Sequence, residues 1–391
     1  MAVSALTYPA ESPAIEVVPV TSARDRAAFL RLPYTLYRGQ PAWRPPLRLE
    51  RRMQLSEKSN KLMSHIAPQL FLARRAGSVV GRIAAFTNAL HDEIHGGRDG
   101  FFGYFDTIDD GDVGRELLEA AKAHLRAIGR MRVYGPMQWS VNEEVGLLVD
   151  GFEHPNVILM PYGEPRYPVV LESNGFSKAT DMLAFRAELV AEKRNTPIVR
   201  RLLRTSAREE RLTYRDLDRN AFAADVEKAM AIYNDAWADN WNALPYTPEQ
   251  VAALAGELKP LMFEGGFRFA ELDGKPVAFG VVLPDLNEAI RDADGRLNPL
   301  TAWRAIRRLK GRQVRGARLP LMGLVRELHN TTLGLAAITQ LCEDLFAASE
   351  RQGFTHIEMS WILEDNIPMI RICEQAQGVP YKRYRMYEAA L

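Results

Sequence analysis

Hydrophobic and polar residues alternate along the chain in patterns that predict strands and helices in a fixed order. Two apolar runs in residues 69–88 flank a glycine and predict a β-hairpin. Residues 100–110, rich in aromatic side chains, predict a third strand. In residues 112–130 the apolar positions recur at helical spacing and stop at a glycine, which predicts an amphipathic helix. Strands at 131–139 and 172–189 complete this half.

The second half of the chain repeats this order. Residues 267–285 predict a hairpin, and residues 319–325 predict a strand that leads into a polar loop. A long amphipathic helix is predicted at 333–353, followed by a strand at 356–363, a shorter helix and a final strand. A basic, proline-containing segment, 191–212, joins the halves. The repeat therefore lies in the order of the elements and not in the residues.

Length and composition fit a globular protein of two domains. The chain has 391 residues, 47% of them hydrophobic and 25% charged, and it exceeds the usual size of one hydrophobic core. The net charge of +1 excludes bulk attraction to nucleic acid or membrane as the governing effect. Two cysteines cannot form a disulfide framework, and we see neither a signal peptide nor a membrane-spanning run, so we expect a cytoplasmic protein.

Several stretches of the sequence resemble a known family. The order of hairpin, strand, polar loop, long helix, strand, DNIPM helix and final strand resembles the GNAT acyltransferase fold in tandem. The motifs GRIAAFTN, GFFGYFD, GLLVDGFEHP, SNGF, LPDLN and MSWILEDN are similar to those of a bacterial GNAT-like group that includes the ceramide synthases. The resemblance implies an α/β fold of two tandem GNAT-like domains, each a mixed central sheet flanked by helices. We expect a degenerate acceptor-side domain at 1–190 and an acyl-CoA-binding domain at 191–391.

The resemblance also implies a reaction. We expect an acyl-CoA-dependent N-acyltransferase that acylates a sphingoid long-chain base to a ceramide-type lipid, with long-chain acyl-CoA as co-substrate. No metal is expected, because the HDEIH motif matches neither established zinc order. Two alternatives stay open: a tandem-GNAT aminoacyl or peptidyl transferase that uses charged tRNA, and a non-catalytic module that binds CoA or lipid.

The two strand–loop–helix junctions differ in charge. The first, DTIDDGDVG, carries four aspartates within seven residues, which would repel the phosphates of CoA. The second, HNTTLG, has no acid, so the N–H groups at its helix start can hold a phosphate. It departs from the GNAT pattern R/Q-x-x-G-x-G/A, because His329 and Thr332 stand at the basic and first glycine positions. The alternative is that Asn330, Thr331 and Thr332 only cap a helix.

The predicted cofactor-binding residues lie on this strand and loop and at the start of the last helix. The resemblance implies that backbone N–H groups at the strand end stabilise the thioester carbonyl, and that Asn366 contacts the pantetheine arm; a helix N-cap is the alternative for Asn366. The predicted set is Leu324, Val325, Arg326, Asn330, Thr331, Thr332, Gly334 and Asn366.

Amide formation from a thioester needs a base for the amine and a proton for the departing thiolate. Strand 356–363 alternates polar and apolar residues, and its Glu358 lies where the resembled fold opens to admit the thioester. We predict Glu358 as a base with a raised pKa; a solvated glutamate on an edge strand is the alternative. His329 is the rival base, unless it is a capping or core histidine. A tyrosine of the last strand is the acid in the resembled fold, and we predict Tyr384.

Two pairs of residues are candidates for substrate binding. Trp237 and Trp241 lie four residues apart, which on a helix places them on one face that can wall an apolar channel. Asn142 and Glu144 follow a predicted strand of the first half, where they can hold an amine. Core packing is the alternative for the tryptophans, and a solvated loop is the alternative for the polar pair.

An insertion in the second half is strongly basic. Residues 296–318 contain many Lys and Arg and no acid, and Leu300, Trp303 and Ile306 share one helical face. A basic amphipathic helix with a tryptophan suits an anionic membrane surface, so we expect peripheral contact with the inner face of the membrane through residues 300–318. Binding of CoA phosphates or RNA and a solvated helix are the alternatives, although nucleic acid is not our expected partner.

Overall fold

The computed structural model describes residues 13–391, and the strands in this range form one mixed β-sheet. The strands are β1 (Ile15–Pro19), β2 (Ile66–Arg75), β3 (Ser78–Asn88), β4 (Asp99–Thr107), β5 (Arg132–Gly135), β6 (Leu147–Asp150), β7 (Ser177–Glu188), β8 (Leu212–Asp216), β9 (Phe267–Leu272), β10 (Lys275–Pro284), β11 (Gly316–Leu324), β12 (His356–Leu363) and β13 (Val379–Ala390). The predicted hairpins are present as β2–β3 and β9–β10.

The helices include the two long ones predicted from the apolar periodicity. They are α1 (Ala23–Arg31), α2 (Pro33–Leu36), α3 (Arg48–Gln54), α4 (Ala89–His95), α5 (Gly111–Ala127), α6 (Arg166–Ser173), α7 (Ala191–Arg194), α8 (Pro197–Arg208), α9 (Phe222–Ala236), α10 (Pro248–Leu258), α11 (Leu286–Ala289), α12 (Pro299–Lys310), α13 (Thr332–Gln352) and α14 (Ile367–Gln375). Short 3-10 helices occupy Lys61–His65, Lys259–Leu261 and Arg326–Leu328. Within the described range no helix has the length and apolarity that a bilayer crossing requires.

The strands lie in the order β1-β2-β3-β4-β5-β13-β7-β12-β11-β10-β9-β8, and β6 pairs with β13 beside β5. The pairs β4–β5 and β11–β12 are parallel, whereas the other neighbours run antiparallel. The two parallel pairs occupy equivalent places in the two halves of the chain. The repeat of element order seen in the sequence is thus a repeat in the sheet as well.

Each half of the sheet contains the last strand of the other half. Strand β13, the end of the chain, pairs with β5 and β6 of the first half and with β7. Strand β7, which ends the first half, pairs with β12 of the second half. The domain boundary at residue 190 stays a prediction. The segments on its two sides are joined by backbone hydrogen bonds, because β7 pairs with β12 and β13.

Helices cover both faces of the sheet in the second half. Phe279 and Val281 of β10 pack with residues of α9, whereas Ala278 and Val282 pack with residues of α13. This alternation follows from the opposite orientation of successive side chains in a strand. The segment that joins the two halves also contacts α13. Its buried Arg194 donates hydrogen bonds to Glu343 and Glu350 of this helix.

Candidate functional site

Strands β11 and β12 separate partway along their length. They pair from Gly316–His356 as far as Leu319–Met359, beyond which β11 stays with β10 and β12 continues beside β7. The gap opens into a cleft of about 570 Å³ bounded by these strands and by the starts of α13 and α14. A cleft of this volume lies within the ~300–1,000 Å³ range typical of ligand pockets.

The open edge of β11 presents backbone groups to the cleft. The Met322 carbonyl accepts a hydrogen bond from Trp237 Nε1 at 3.1 Å, and the Leu324 carbonyl accepts one from His329 Nε2 at 2.8 Å. Because the N–H and C=O groups of one strand residue point to the same side, the N–H groups of Met322 and Leu324 also face the cleft. Of the predicted strand-end residues, Leu324 therefore has the orientation that donor binding needs.

The other two predicted strand-end N–H groups are engaged within the protein. The N–H of Val325 donates to the Val277 carbonyl at 2.9 Å, and the N–H of Arg326 donates to the Asp235 carboxylate at 2.8 Å. The Arg326 guanidinium also pairs with Asp235 and Asp239. Neither N–H is free for a thioester carbonyl, because the strand has ended and the chain turns toward α9.

The start of α13 borders the cleft. Thr331 is the N-cap, and its Oγ1 accepts the N–H of Gly334 at 2.9 Å. A Cβ atom at Gly334 would lie 2.2 Å from the Leu328 carbonyl oxygen, so only glycine lets the helix start pack on this turn. Asn330, Thr331, Thr332 and Gly334 all line the cleft. The residues that cap α13 thus also border the cleft, and their binding of a phosphate stays a prediction.

Asn366 lies at the start of α14, which also borders the cleft. Its side-chain oxygen caps α14 by accepting the N–H of Met369 at 3.2 Å, and the residue lines the cleft. Asn366 is therefore an N-cap, as the alternative interpretation holds, and its contact with the pantetheine arm stays a prediction.

The equivalent opening in the first half is closed. Pairing of β4 with β5 ends at Phe101–Tyr134, and the backbone of Met137 then fills the gap. A Cβ atom at Gly103 would lie 1.8 Å from the Met137 carbonyl oxygen, and the Met137 N–H donates to the Phe102 carbonyl at 3.0 Å. The gap between these two strands is therefore filled by backbone, and the cavity of about 110 Å³ that borders Tyr104 and Met137 lies beside it.

The aspartates at the start of α5 are mostly paired rather than free. Asp106, Asp110 and Asp112 form ion pairs with Arg82, Arg75 and Arg115, respectively. Asp110 is also the N-cap of α5 and accepts from the N–H groups of the first turn. These ion pairs partly neutralise the predicted repulsion of phosphate. The filled gap between β4 and β5 is a second, steric difference between this junction and the one in the second half.

Glu358 is buried in the middle of the sheet, so the alternative of a solvated edge glutamate is wrong. Its two oxygens accept hydrogen bonds from the hydroxyls of Ser360 and Tyr381. The buried Arg318 lies 3.9 Å away, donates to Ser360 Oγ at 3.0 Å, and also donates to the Ile158 carbonyl at 2.9 Å. Glu358 does not border the cleft, whereas Ser360, whose hydroxyl donates to it, does.

The predicted acid, Tyr384, lies deeper than its neighbour Tyr381. Its side chain is fully buried, its hydroxyl has no hydrogen-bond partner among residues 13–391, and it borders neither the cleft nor the cavity described next. Burial raises its pKa well above the ordinary value. The structure thus brings Tyr381, rather than Tyr384, into contact with Glu358, and the acid role of Tyr384 stays a prediction.

A second cavity of about 160 Å³ lies between the two halves of the chain. Asn142, Glu143 and Glu144 line it from the first half, and residues of α9 and α10 line it from the second. Trp237 and Trp361 border both this cavity and the cleft between β11 and β12, and their ring centroids lie 5.4 Å apart in an edge-on arrangement. The two spaces therefore adjoin at this pair of tryptophans. Hereafter the 160 Å³ space is called the interface cavity.

The predicted polar pair in this cavity is held by the protein itself. Asn142 Nδ2 donates to the Leu244 carbonyl at 3.0 Å, and Asn142 Oδ1 accepts from the Tyr233 hydroxyl at 3.0 Å. Glu144 is buried and pairs with Arg51. The loop is not solvated, because these contacts pull it between the halves.

The two predicted tryptophans do not share a helical face. Helix α9 ends at Ala236, Trp237 is its C-cap, and the chain then turns before Trp241. Trp241 packs edge-on against Tyr134 at 5.6 Å and lines neither cavity. Of the two predicted tryptophans, Trp237 lines both the cleft and the interface cavity, and its contact with a substrate stays a prediction.

The basic insertion forms α12 and then enters the sheet. Four apolar side chains are each more than half exposed: Leu297, which precedes the helix, and Leu300, Trp303 and Ile306, which lie on it. Together they form an unusually apolar surface. Arg304 and Arg308 pair with Asp292. The predicted basic surface over 300–318 is too long, because β11 begins at Gly316 and Arg318 is buried beside Glu358.

The single mixed sheet, with a parallel strand pair in each half and a cleft between β11 and β12, has the tandem GNAT fold, and known structures show the same fold. The chain matches a tandem GNAT protein from the clavulanic acid biosynthesis pathway with a TM-score of 0.56 at 14% identity, over 96% of this chain and 98% of that one. A GCN5-related N-acetyltransferase from Sphaerobacter thermophilus matches with a TM-score of 0.52 at 10% identity, over 96% and 95% of the two chains.

Relatives of higher identity show the family. The chain is 38% identical over 367 residues to Protein YghO of Escherichia coli K12, covering 93% of this chain and 92% of the relative. It is 36% identical over 382 residues to a bacterial ceramide synthase of Caulobacter vibrioides, covering 96% and 98%. The chain belongs to the family of these two proteins and is an acyltransferase. No family model matches the chain.

Proposed function

We propose that this protein transfers a long-chain acyl group from acyl-CoA to the amine of a sphingoid-type base, giving a ceramide-type amide. The observation that carries the proposal is the meeting of the donor cleft and the interface cavity at Trp237 and Trp361. A thioester carbonyl in the cleft and an amine in the cavity would face each other there. The relative from Caulobacter, named a bacterial ceramide synthase, supports the choice of acceptor.

The donor would lie along β11 with its charged end at α13. The N–H groups of Met322 and Leu324 are suited to bind the carbonyls of the pantetheine arm or of the thioester. The N–H groups at the start of α13, beside Thr331 and Thr332, are suited to hold a phosphate, because a helix N-terminus carries partial positive charge. Asn366 is proposed to contact the pantetheine arm from the opposite wall.

The sequence-based assignment makes Glu358 the base and Tyr384 the acid, with His329 as the rival base. For Glu358 the path from the cleft would run through the hydroxyl of Ser360, which donates to it. His329 Nε2 donates to the Leu324 carbonyl, so only its Nδ1 is available as a proton acceptor. We expect Glu358→Gln and Tyr384→Phe to lower kcat if these roles hold, whereas a loss of kcat in His329→Gln alone would favour the rival base.

A lipid acceptor also calls for a membrane-docking surface, and we propose that α12 provides it. Its exposed Trp303 and Ile306 lie on the same helix as the exposed Arg307 and Lys310, and this combination suits an anionic membrane surface. Replacing Leu300, Trp303 and Ile306 with serine is expected to reduce co-sedimentation with phosphatidylglycerol vesicles. Equal sedimentation of the variant and the native chain would contradict this docking role.

The test of the proposed reaction is product formation by the purified protein. Palmitoyl-CoA and sphinganine are expected to give an N-acyl product by mass spectrometry together with stoichiometric free CoA. Acetyl-CoA serves as the short-chain control, and charged tRNA serves as the alternative donor. If no long-chain amine yields an amide with any acyl-CoA, the proposal fails; transfer from charged tRNA would favour the aminoacyl transferase instead.

A further inference from the structure

The interface cavity contains polar groups that the protein leaves unused. Among three successive residues, Asn142 and Glu144 are bonded to protein partners, whereas the carboxylate of Glu143 accepts no hydrogen bond from residues 13–391. Gln250 also lines the cavity, and its buried Nε2 has no partner in the same range, although its Oε1 accepts from the Thr247 N–H. Buried polar groups are normally hydrogen-bonded, so the buried, unpaired Gln250 Nε2 beside the unpaired carboxylate of Glu143 indicates a polar ligand.

The electrostatic surroundings of Glu143 are acidic. Burial raises the pKa of its carboxyl to about 8, and the nearby carboxylates of Glu257, Glu144 and Glu50 raise it as well, while Arg51 lowers it. Tyr246, Lys61 and Arg318 also border the cavity, and Arg318 is engaged with Ser360 and Glu358. A cavity with several carboxylates attracts a cation, and a protonated amine is the cation that an N-acyltransferase must bind.

We propose that Glu143 binds the acceptor ammonium in the interface cavity and takes its proton before acyl transfer. This inference rests on the proposed function for the donor in the adjoining cleft. The cavity volume of about 160 Å³ is below that of most ligand pockets, so we expect it to hold the polar head of the acceptor and not its chain. Glu143 lines this cavity, whereas Glu358 is separated from it and has hydrogen bonds to both oxygens.

Each of the three protons of the acceptor ammonium has a defined destination in the proposed reaction. The ammonium gives one proton to the ionised Glu143, and the free amine nitrogen then attacks the thioester carbon. The carbon–sulfur bond breaks as the carbon–nitrogen bond forms, and the second nitrogen proton ends on the CoA thiolate. Glu143 later releases its proton to water. The products are an amide, free CoA thiol and one proton.

The carboxyl of Glu143 is well matched to this task. An alkylammonium such as that of lysine has a pKa of about 10.4 and an ordinary glutamate one of about 4.3. The pKa of about 8 at Glu143 leaves a gap of roughly two units to the ammonium instead of about six. Proton transfer to Glu143 is therefore far less unfavourable than transfer to a solvated glutamate, and a base with this pKa suits general base catalysis near neutral pH.

The test compares Glu143→Gln with Glu227→Gln, a matched control on the exposed face of α9, in the full-length protein. At pH 7 we expect the control to keep the native kcat/KM and the Glu143 variant to lose about 10²–10⁴-fold. The native kcat/KM for the amine is expected to rise with pH and level off near 8. In Glu143→Gln, kcat/KM for the amine should keep rising up to the pKa of the amine itself. The ratio of the native kcat/KM to that of the variant should therefore fall at high pH.

A binding measurement separates failure of this inference from failure of the proposed function. Titration calorimetry with dodecylamine at pH 9 is expected to show binding to the native chain and to Glu227→Gln, and at least tenfold weaker binding to Glu143→Gln, while all three bind CoA equally. If amine binding depends on Glu143 but no amide product forms, the acylation proposal is refuted and the assignment of an amine-binding site at Glu143 still holds. Equal amine affinity and an unchanged pH profile in Glu143→Gln would overturn the inference.

Discussion

At the scale of single residues, the site depends on charged groups that lie inside the sheet. Arg318 and Glu358 are paired neighbours on β11 and β12, and each is almost wholly buried. Removal of one member of a buried ion pair leaves the other charge without compensation. This pair lies on the paired part of β11 and β12, next to the point where the two strands separate to form the cleft.

Replacing Arg318 with methionine is expected to destabilise the protein by about 3–5 kcal/mol, because Glu358 stays buried without its partner. Adding Glu358→Gln should restore part of the loss, since the uncompensated charge is then absent. Urea unfolding followed by circular dichroism measures both changes, with Arg219→Met, an exposed arginine, as control. A midpoint unchanged by Arg318→Met would contradict the structural role of the pair.

Replacing Glu257 with glutamine is expected to lower the pKa of Glu143. The Glu257 carboxylate is the strongest of the neighbouring charges that raise it, and loss of a negative neighbour favours the ionised form. The pH at which kcat/KM levels off should therefore move below about 8, and the shift should shrink at high salt because Glu257 is exposed. A shift toward higher pH, or none at low salt, would argue against this electrostatic coupling.

The residue types of the site were visible in the sequence, but their burial was not. Glu143 stands between polar neighbours in a loop, and such a stretch reads as solvated until the halves close around it. Arg318 ends a long basic segment that favours a surface helix, yet β11 has already begun at Gly316. Neither burial could be predicted, because local patterns carry no information on contacts between distant parts of the chain.

At the scale of elements, the functional difference between the halves lies in two equivalent junctions. At the open junction, β11 and β12 part and α13 starts with an uncharged cap. At the closed one, the backbone of Met137 fills the gap after β5, and Asp110 caps α5. The charge difference was predictable from the two loop sequences. The steric closure was not, because it depends on how the chain after β5 folds back.

Replacing Gly334 with alanine is expected to weaken donor binding. The added Cβ would meet the Leu328 carbonyl oxygen at 2.2 Å, so the start of α13 must shift and the KM for acyl-CoA should rise at least tenfold. Overpacking of this kind typically costs about 1–3 kcal/mol of stability. The control is Gly256→Ala in α10, where the Cβ meets nothing within 4 Å. A normal KM in Gly334→Ala would mean that this junction does not hold the donor.

At the scale of the whole molecule, the two halves are joined by exchanged strands. Strand β13 lies between β5 and β7, and β7 lies between β13 and β12. The sequence predicts both strands but not the strands beside them in the sheet. A strand with this alternation of apolar and polar residues can pair with strands of either half. The exchange brings Glu143 of the first half and Trp237 of the second to one cavity.

The exchange predicts that the halves do not fold separately. Fragments 1–190 and 191–391 expressed alone are expected to aggregate or lack a cooperative unfolding transition, because each loses a strand from the middle of its sheet. When co-expressed they should purify as a complex with amine-dependent activity. Two independently folded fragments with sharp transitions would instead support fully separate domains.

The most direct test of the central claim is a crystal structure of the protein with a non-hydrolysable analogue of palmitoyl-CoA. We expect the pantetheine arm to run along the free edge of β11, with phosphate oxygens near Thr331 and Thr332 and the thioester position beside Trp361. Density for the nucleotide near Asp110 at the start of α5, or none between β11 and β12, would contradict the central claim.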